Sequence, residues 1–299
     1  MNEIHSALSA SARPHAAGAP AGPGPQGTGI AVESVEKVFW TWRQGRFRST
    51  VTGGFTALAP VSFQVRPGEF VSIVGPSGCG KSTLLSIIAG LAKPSAGRVL
   101  IGDTVVSGPG HRGSGMVFQQ VSLMPWLTAE QNVAFALDKR RAGAQGRKEL
   151  SERARAALAM VGLHSFESYY PRQLSGGMQQ RVAIARALVI EPEVLIMDEP
   201  FGALDAQTRM TLQDELTRLQ AQWRGSIVFV THDIDEAVYL SDRVLVMGSR
   251  PGRIVSTVDV DLPRPRDSVT TRSDPQFSKL VAGIWSTLRP LALTAYDGD

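Results

Sequence analysis

Short, almost continuous apolar runs recur along the chain from residue 70 onward. They lie at residues 70–74, 194–197, 227–230 and 244–246. A strand that is covered on both faces has this pattern because neither of its sides meets water. Between the runs, the apolar residues follow the period of helices. The alternation predicts an α/β protein with a mostly parallel sheet.

Two amphipathic helices are indicated by apolar positions that fall on one helical face. The segment between about 120 and 190 contains no run typical of a buried strand and is rich in helix formers, so we predict a helical insert there. One further helix is predicted at 277–288. The positions that mark the two amphipathic helices are Met178, Val182 and Val189 for the first, and Leu212, Leu216, Leu219 and Trp223 for the second.

The two ends of the chain and one internal stretch lack this regular pattern. Residues 1–29 are rich in Ala, Gly, Pro and Ser, and we expect them to form a disordered leader. The aromatic and basic stretch 40–55 (WTWRQGRFRSTVTGGF) lies between two strand-like runs, and we expect a long hairpin loop. These limits place the main domain at 30–265 and leave 266–299 as a C-terminal tail that contains the predicted helix.

Composition excludes several classes of protein. The chain has 299 residues, of which 43% are hydrophobic, and it contains no run of 18 apolar residues that would predict a membrane-spanning helix. The first 30 residues lack the apolar core of a secretory signal. A formal net charge of +4 is too small to indicate binding to nucleic acid. The single cysteine, Cys79, excludes an intrachain disulfide and argues against a structural zinc site.

The most specific motif is GPSGCGKS at residues 75–82, between the run 70–74 and a helical stretch. It matches the phosphate-binding pattern G-x-x-x-x-G-K-[ST] in its strand–loop–helix setting. Glycines let backbone N–H groups approach phosphates, and the helix N-terminus favours negative charge. We predict that Lys81 neutralises the β- and γ-phosphates and that Ser82 binds Mg²⁺. The predicted nucleotide-binding residues of this loop are Gly75, Pro76, Ser77, Gly78, Cys79, Gly80, Lys81, Ser82 and Thr83.

The second motif, VLIMDE at residues 194–199, consists of four apolar residues followed by two carboxylates. A buried strand of this kind delivers its acids to the edge of the sheet, where ligands of α/β proteins bind. We predict that Asp198 holds Mg²⁺ and that Glu199 polarises an attacking water, since phosphoryl transfer needs positioning and charge neutralisation.

A third motif, LSGGMQQR at residues 174–181, opens the helix that carries Met178. Ser175 is a good N-cap residue, and Gly176 and Gly177 leave backbone N–H groups exposed at the helix start. The motif therefore predicts a second anion-binding site. A single sheet edge cannot bring this site and the phosphate loop to the same phosphate.

With these motifs, residues 30–265 resemble the ATP-binding subunit of an ABC (ATP-binding cassette) transporter, because LSGGMQQR matches the signature of that family. The resemblance implies a P-loop NTPase core with a mostly parallel sheet, an N-terminal antiparallel β subdomain and an inserted helical signature subdomain. It also implies ATP and Mg²⁺ as cofactors. Two copies of the chain would pair head to tail, so that Ser175 and Gly177 bind the γ-phosphate of the ATP held by the partner's phosphate loop.

Further functional positions follow from the resemblance. Gln119 (in MVFQQ) matches the glutamine loop, which contacts Mg²⁺ and water, and Asp205 (in PFGALD) matches the loop that crosses the dimer interface. His232 (in IVFVTHD) matches the switch histidine on the γ-phosphate. Phe39 is the candidate for the aromatic residue that stacks on adenine, and its neighbour Trp40 is a rival.

Four longer segments resemble the nitrate/sulfonate/taurine branch of importers. The resemblance implies a peripheral ATPase at the cytoplasmic face of the bacterial inner membrane. Its partners would be two transmembrane permease subunits and a separate substrate-binding protein, with no role for nucleic acid. Two alternatives stay open: an ATPase of this type without a transport partner, and an importer ATPase for an unrelated small solute. The segments are SLMPWLTAEQNV, FGALDAQTR, THDIDEAVYLSDRV and PGRIVSTVDVDLPRPR.

Overall fold

The computed structural model describes residues 28–44, 49–109, 113–137, 144–223 and 225–296. The expected leader lies outside these residues except for its last two positions. None of the helices in the described ranges combines the length and the apolar character that crossing a membrane requires.

A six-stranded sheet forms the centre of the fold, with strand order β10-β9-β3-β8-β7-β6. Neighbouring strands from β9 to β6 pair in parallel, and β10 pairs antiparallel with β9. The four predicted strands are confirmed as its interior members. The two edge strands were not predicted, since β6 is very short and β10 alternates between exposed and half-buried positions instead of being continuously buried. The strands are β3 (Phe70–Val74), β6 (Ser114–Val117), β7 (Val194–Asp198), β8 (Ser226–Val230), β9 (Arg243–Gly248) and β10 (Arg253–Asp259).

A second sheet of four strands has the order β2-β1-β4-β5. Its strands are β1 (Ile30–Gln44), β2 (Ser49–Val65), β4 (Ala96–Ile101) and β5 (Thr104–Val105). The strands β1 and β2 pair antiparallel over their whole length.

The expectation of a long loop at 40–55 was wrong. Pairing of β1 with β2 continues from Ile30↔Val65 outward to Gln44↔Ser49. The stretch is rich in aromatic and β-branched residues, which favour strands and stabilise cross-strand pairs, and this preference outweighs its basic composition. The connection at 45–48 lies outside the described residues.

The helices cover the central sheet on both sides. The helical insert lies between β6 and β7, and it also contains a 3-10 turn at Pro171–Gln173. Both predicted amphipathic helices are confirmed, and the helix predicted at 277–288 is longer than expected. The helices are α1 (Lys81–Ile88), α2 (Ala129–Ala134), α3 (Ala144–Met160), α4 (Gly176–Leu188), α5 (Ala206–Trp223), α6 (Ile234–Leu240) and α7 (Pro275–Tyr296).

Two apolar clusters lie against opposite faces of the central sheet. Along β7, Leu195 and Met197 belong to the cluster formed with α4, α5, α6 and α7. Val194 and Ile196 belong to the cluster formed with α1 and the second sheet. Burial on both faces explains why the interior strands are almost continuously apolar. The last helix contributes Ile284, which is fully buried.

A buried arginine joins the segment after β10 to the end of α6. Arg266 is 6% exposed, and its Nη1 donates to the carbonyl oxygens of Val238, Tyr239 and Ser241 at 3.3, 2.9 and 2.7 Å. Helix C-termini leave such carbonyls without intrahelical partners. Burial lowers the pKa of Arg266 to about 10, so the guanidinium stays charged at neutral pH.

Replacing this side chain should destabilise the fold. In Arg266→Ala, buried carbonyl oxygens lose their donor, and we expect the free energy of unfolding to fall by about 3 kcal/mol. Urea denaturation measures the change. Arg253→Ala, which removes an exposed arginine of β10, is the matched control and should change stability by less than about 0.5 kcal/mol. Equal stability of the two variants would contradict the role assigned to Arg266.

Candidate functional site

The glycines of the loop between β3 and α1 are required by its backbone geometry. Gly78 and Gly80 have φ values of 74° and 97°, in the left-handed region that side chains rarely adopt. Gly80 is also the residue before the first turn of α1. At Gly75, an added Cβ would lie 2.7 Å from the carbonyl oxygen of Met247. The loop can therefore take this path only with glycine at these positions.

Lys81 lies inside the curve of this loop. Its side chain is 6% exposed, and its Nζ donates to the carbonyl oxygens of Gly75 and Pro76 at 2.8 and 3.0 Å. The loop thus holds a cation beside backbone N–H groups and the N-terminus of α1. This arrangement is suited to polyphosphate binding.

Cys79 serves the packing of the same loop. It is 1% exposed, and its Sγ lies 4.0 Å from Lys81 Nζ. Burial raises the pKa of the thiol, although the neighbouring lysine opposes this shift. A buried thiol with a raised pKa is a poor nucleophile.

Ser82 and Asp198 meet at the carboxyl end of β7. The Ser82 hydroxyl donates to Asp198 Oδ1 at 3.3 Å. Burial raises the pKa of Asp198, while the Ser82 hydrogen bond and Lys81 lower it. No three His, Cys, Asp or Glu side chains in the described ranges are grouped so that they could hold a metal ion. Hydroxyl and carboxylate oxygens fit Mg²⁺, which typically takes one or two carboxylates and completes its coordination with water and phosphate oxygens.

Glu199 lies at the centre of a second polar group. Its Oε2 accepts a hydrogen bond from Gln119 Nε2 at 3.2 Å and lies 3.2 Å from His232 Nδ1. The Glu199 carboxylate is 19% exposed, whereas the His232 side chain is 60% exposed. Three segments that are distant in sequence therefore converge on one carboxylate.

The backbone at Glu199 is held in an unusual conformation. Its φ is +42°, a region that residues other than glycine rarely adopt. Its N–H donates to Val230 O at 2.9 Å, and its carbonyl accepts from Gly202 N at 3.2 Å. Strain of this kind persists where the surrounding structure enforces it, and it is concentrated at functional sites.

The second predicted anion site is well formed but separate. Ser175 caps α4 by accepting from Met178 N at 3.3 Å. Ser175 and Gly177 line a cavity of about 380 Å³ with Thr208 of α5, and no residue of the phosphate loop lines that cavity. Asp205 caps α5 through Thr208 N at 3.0 Å, and this contact lowers the pKa of Asp205.

The candidate aromatic residues lie on the β1–β2 hairpin. Phe39 is 48% exposed with Lys37 Nζ 5.1 Å from its ring centre, and Trp40 is 57% exposed and packs on Gly54. Phe39 pairs in register with Phe55, which is 58% exposed.

Phe55 is an aromatic residue that borders the phosphate loop. It lines a cavity of about 640 Å³ together with Ser77, Gly78 and Arg250, whereas Phe39 and Trp40 do not. Phe55 was not among the predicted site residues, because the expectation of a loop at 40–55 gave no reason to place it beside the phosphates. Strand pairing with Phe39 was the signal that could have revealed it.

Comparison with known proteins gives one family and several close relatives. Residues 58–202 match the family described as ABC transporter. An uncharacterized ABC transporter ATP-binding protein of Methanocaldococcus jannaschii is 54% identical over 211 residues, which are 71% of this chain and 78% of that protein.

Two further relatives carry functional names. The aliphatic sulfonates import ATP-binding protein SsuB of Bacillus cereus is 45% identical over 237 residues, which are 79% of this chain and 88% of the relative. The bicarbonate transport ATP-binding protein CmpC of Synechocystis is 45% identical over 255 residues, which are 84% of this chain and 36% of the relative.

The fold is also similar to a solved structure of another protein. That structure shows the dimeric, post-hydrolysis state of an ATP-binding cassette bound to ADP and Pi, and it matches with a TM-score of 0.65 and 36% sequence identity. The match covers 77% of this chain and 98% of that chain. The predicted P-loop α/β fold is thereby confirmed.

Proposed function

Because the chain belongs to the family of ABC transporter ATP-binding proteins, we propose that it energises import of a small anion or sulfonate through a separate membrane permease. Family membership makes the chain an ATPase. The importer assignment is supported by relatives named for sulfonate import and for bicarbonate transport. The observation that carries the hydrolytic assignment is the convergence of Gln119 and His232 on Glu199.

The phosphate loop holds the triphosphate of ATP in this proposal. Lys81 places a cation inside the loop, where it neutralises charge on the β- and γ-phosphates. Ser82 and Asp198 would hold Mg²⁺. When bound, the ion neutralises phosphate charge that develops during transfer.

Glu199 accepts a proton from the attacking water and aligns that water with the γ-phosphate. Gln119 holds the carboxylate through a hydrogen bond of 3.2 Å and thus fixes its direction. His232 supports the same oxygen through Nδ1. The imidazole ring has a nitrogen on each side, so His232 can contact Glu199 through Nδ1 and the γ-phosphate through Nε2.

A second copy of the chain completes the site. The N-terminus of α4, with Ser175 and Gly177, lines a cavity apart from the phosphate loop of its own chain. It is therefore available to bind the γ-phosphate held by a partner copy. The similar cassette with ADP and Pi is dimeric, which supports this arrangement.

Several exposed aromatic residues in and beside the helical insert form the proposed docking site for the permease. Trp126 is 70% exposed, and its loop is held by the fully buried Asn132, whose amide donates to the carbonyl oxygens of Met124, Leu127 and Thr128. Phe118, Phe135, Tyr169 and Tyr170 are also exposed. Exposed apolar patches mark interaction sites.

The docking surface and the hydrolytic site are connected through neighbouring residues in the sequence. Phe118 immediately precedes Gln119, and Arg186 of α4 donates to Ser122 O at 2.7 Å between Gln119 and Trp126. Movement of the docked permease can therefore reach the amide that contacts Glu199. The proposal places the protein at the cytoplasmic face of the membrane, held there by the permease.

Replacing the catalytic carboxylate should separate ATP binding from hydrolysis. Glu199→Gln keeps the shape of the side chain but cannot take a proton, so we expect hydrolysis to fall by about 100-fold or more with ATP still bound. Because the ATP stays bound, the variant should accumulate as a dimer, which size-exclusion chromatography detects.

Lys81→Ala is the contrasting variant for this experiment. It removes a charged contact to phosphate, so the Kd for ATP should rise by about tenfold or more, and no dimer should form. Wild-type hydrolysis in Glu199→Gln, or unchanged ATP affinity in Lys81→Ala, would contradict the assigned roles.

The position of Phe55 predicts its contribution to nucleotide binding. Phe55→Ala removes the aromatic wall beside the phosphate loop, and we expect the Kd for ATP to rise by about tenfold. Inorganic triphosphate, which has no base, should bind as tightly as to the wild type. Phe39→Ala is the control, and a larger effect of this variant than of Phe55→Ala would assign adenine stacking to Phe39 instead.

Uptake in a native host tests the importer proposal. A host that carries Glu199→Gln should lose uptake of one solute from a panel of taurine, longer alkanesulfonates, nitrate and bicarbonate. Trp126→Ser should also abolish uptake, because it disrupts the docking surface, while the isolated protein hydrolyses ATP at the wild-type rate.

The control is Trp285→Ser, which alters another exposed tryptophan, on α7. Uptake should persist in this variant. If every solute of the panel still enters the Glu199→Gln host, the importer proposal for this solute class fails. Hydrolysis stimulated by RNA or DNA would then favour an ATPase without a transport partner.

A further inference from the structure

A buried carboxylate lies beside the loop that carries His232. Glu236 of α6 is 4% exposed. Its Oε1 accepts from Gln213 Nε2 at 2.8 Å, and its Oε2 accepts from the Thr231 hydroxyl. Burying a carboxylate is costly unless its oxygens are hydrogen-bonded, so these contacts constrain one another.

The Thr231 hydroxyl holds the backbone on both sides of His232. It donates to Glu236 and accepts from Asp233 N at 3.0 Å. Thr231 N also donates to Ile73 O at 3.2 Å, which ties the loop to β3. The position of the His232 backbone therefore depends on where Glu236 holds this hydroxyl.

The hydrogen-bonded chain continues into the segment before α7. Gln213 of α5 is 1% exposed, and its Oε1 accepts from Arg272 Nη2 at 2.8 Å. Arg272 also lies over the ring of the fully buried Tyr239, at 4.9 Å from the ring centre. The two contacts of Gln213 fix the orientation of its amide, since only the oxygen can accept from Arg272 and only the nitrogen can donate to Glu236.

We propose that Arg272 is a positioning residue for ATP hydrolysis, which acts through Gln213 and Glu236 on the loop that carries His232. The proposal rests on the hydrolytic site described above, and Arg272 itself contacts none of the catalytic side chains described there. Without Arg272, the Gln213 carbonyl oxygen loses its charged donor and the amide is free to rotate. Rotation removes the donor from Glu236 and loosens its hold on Thr231.

The electrostatic surroundings of Glu236 agree with this dependence. Burial raises its pKa, whereas the hydrogen bonds from Thr231 and Gln213 lower it. Asp233 raises the pKa further, and Arg209 lowers it. Loss of the Gln213 donor therefore shifts Glu236 toward its neutral form, which holds the Thr231 hydroxyl less strongly.

The first experiment compares Arg272→Met with Lys279→Met. The methionine keeps much of the aliphatic packing of Arg272 over Tyr239 but donates no hydrogen bond. We expect kcat for ATP hydrolysis to fall by about tenfold, with the KM for ATP within about twofold of the wild type, because misplacement of a catalytic group lowers the rate and not the affinity. Lys279 is an exposed cation of α7, and its replacement should leave both constants unchanged.

The second experiment tests whether Arg272 acts through Gln213. Gln213→Leu should lower kcat by a similar factor, and Arg272→Met in the Gln213→Leu background should lower it no further. All rates are normalised to the number of ATP molecules bound per chain, so that a loss of folded protein does not count as a loss of turnover.

Three results would overturn the proposal: an unchanged kcat in Arg272→Met, losses that multiply in the double variant, or a fall in bound ATP that accounts for the lost activity. The first two leave the proposed hydrolytic site intact. Failure of that site is recognised separately, by wild-type turnover in Glu199→Gln.

Discussion

Parallel pairing of β3, β8 and β7 is the constraint on which the site depends. Each of these strands is buried on both faces, so none can reverse its direction without exposing apolar side chains or losing its ladder of hydrogen bonds. Their carboxyl ends therefore meet at one edge. Residues that are far apart in sequence, such as Lys81, Glu199 and His232, follow these ends. The sheet therefore places these residues at one edge, where His232 reaches Glu199.

The interior strands and the phosphate loop could be predicted because their signals are local. Burial on both faces makes a strand continuously apolar, and the loop requires glycine where the backbone is left-handed. Features that depend on pairing between distant segments were not predictable in this way. The strand character of residues 40–44 and 49–55 arises from mutual support of β1 and β2, and Phe55 approaches the phosphate loop only because of that pairing. The contact of Arg272 with Gln213 spans 59 residues and leaves no pattern in either segment.

One chain contains two helix N-termini suited to phosphate, and the fold keeps them apart. The start of α1 belongs to the loop with Lys81, whereas the start of α4 packs against α5, where an added Cβ at Gly177 would lie 2.5 Å from Thr208. This close packing fixes the position of α4 relative to α5, which begins directly after Asp205. In the proposed dimer, a partner copy that approaches the start of α4 would therefore also meet the start of α5.

The segment after β10 acts on α6 from both ends of that helix. Arg266 satisfies carbonyl oxygens at its C-terminus, and Arg272 reaches its N-terminal half through Gln213 and Glu236. The two arginines differ in what their partners do. The carbonyl oxygens bound by Arg266 need a hydrogen-bond donor whatever the position of the loop that carries His232, so this contact stabilises the fold. The carboxylate reached by Arg272 holds Thr231, which flanks His232, so this contact selects one position of the loop. The segment predicted from sequence as a tail after the main domain thus has separate means of affecting stability and turnover.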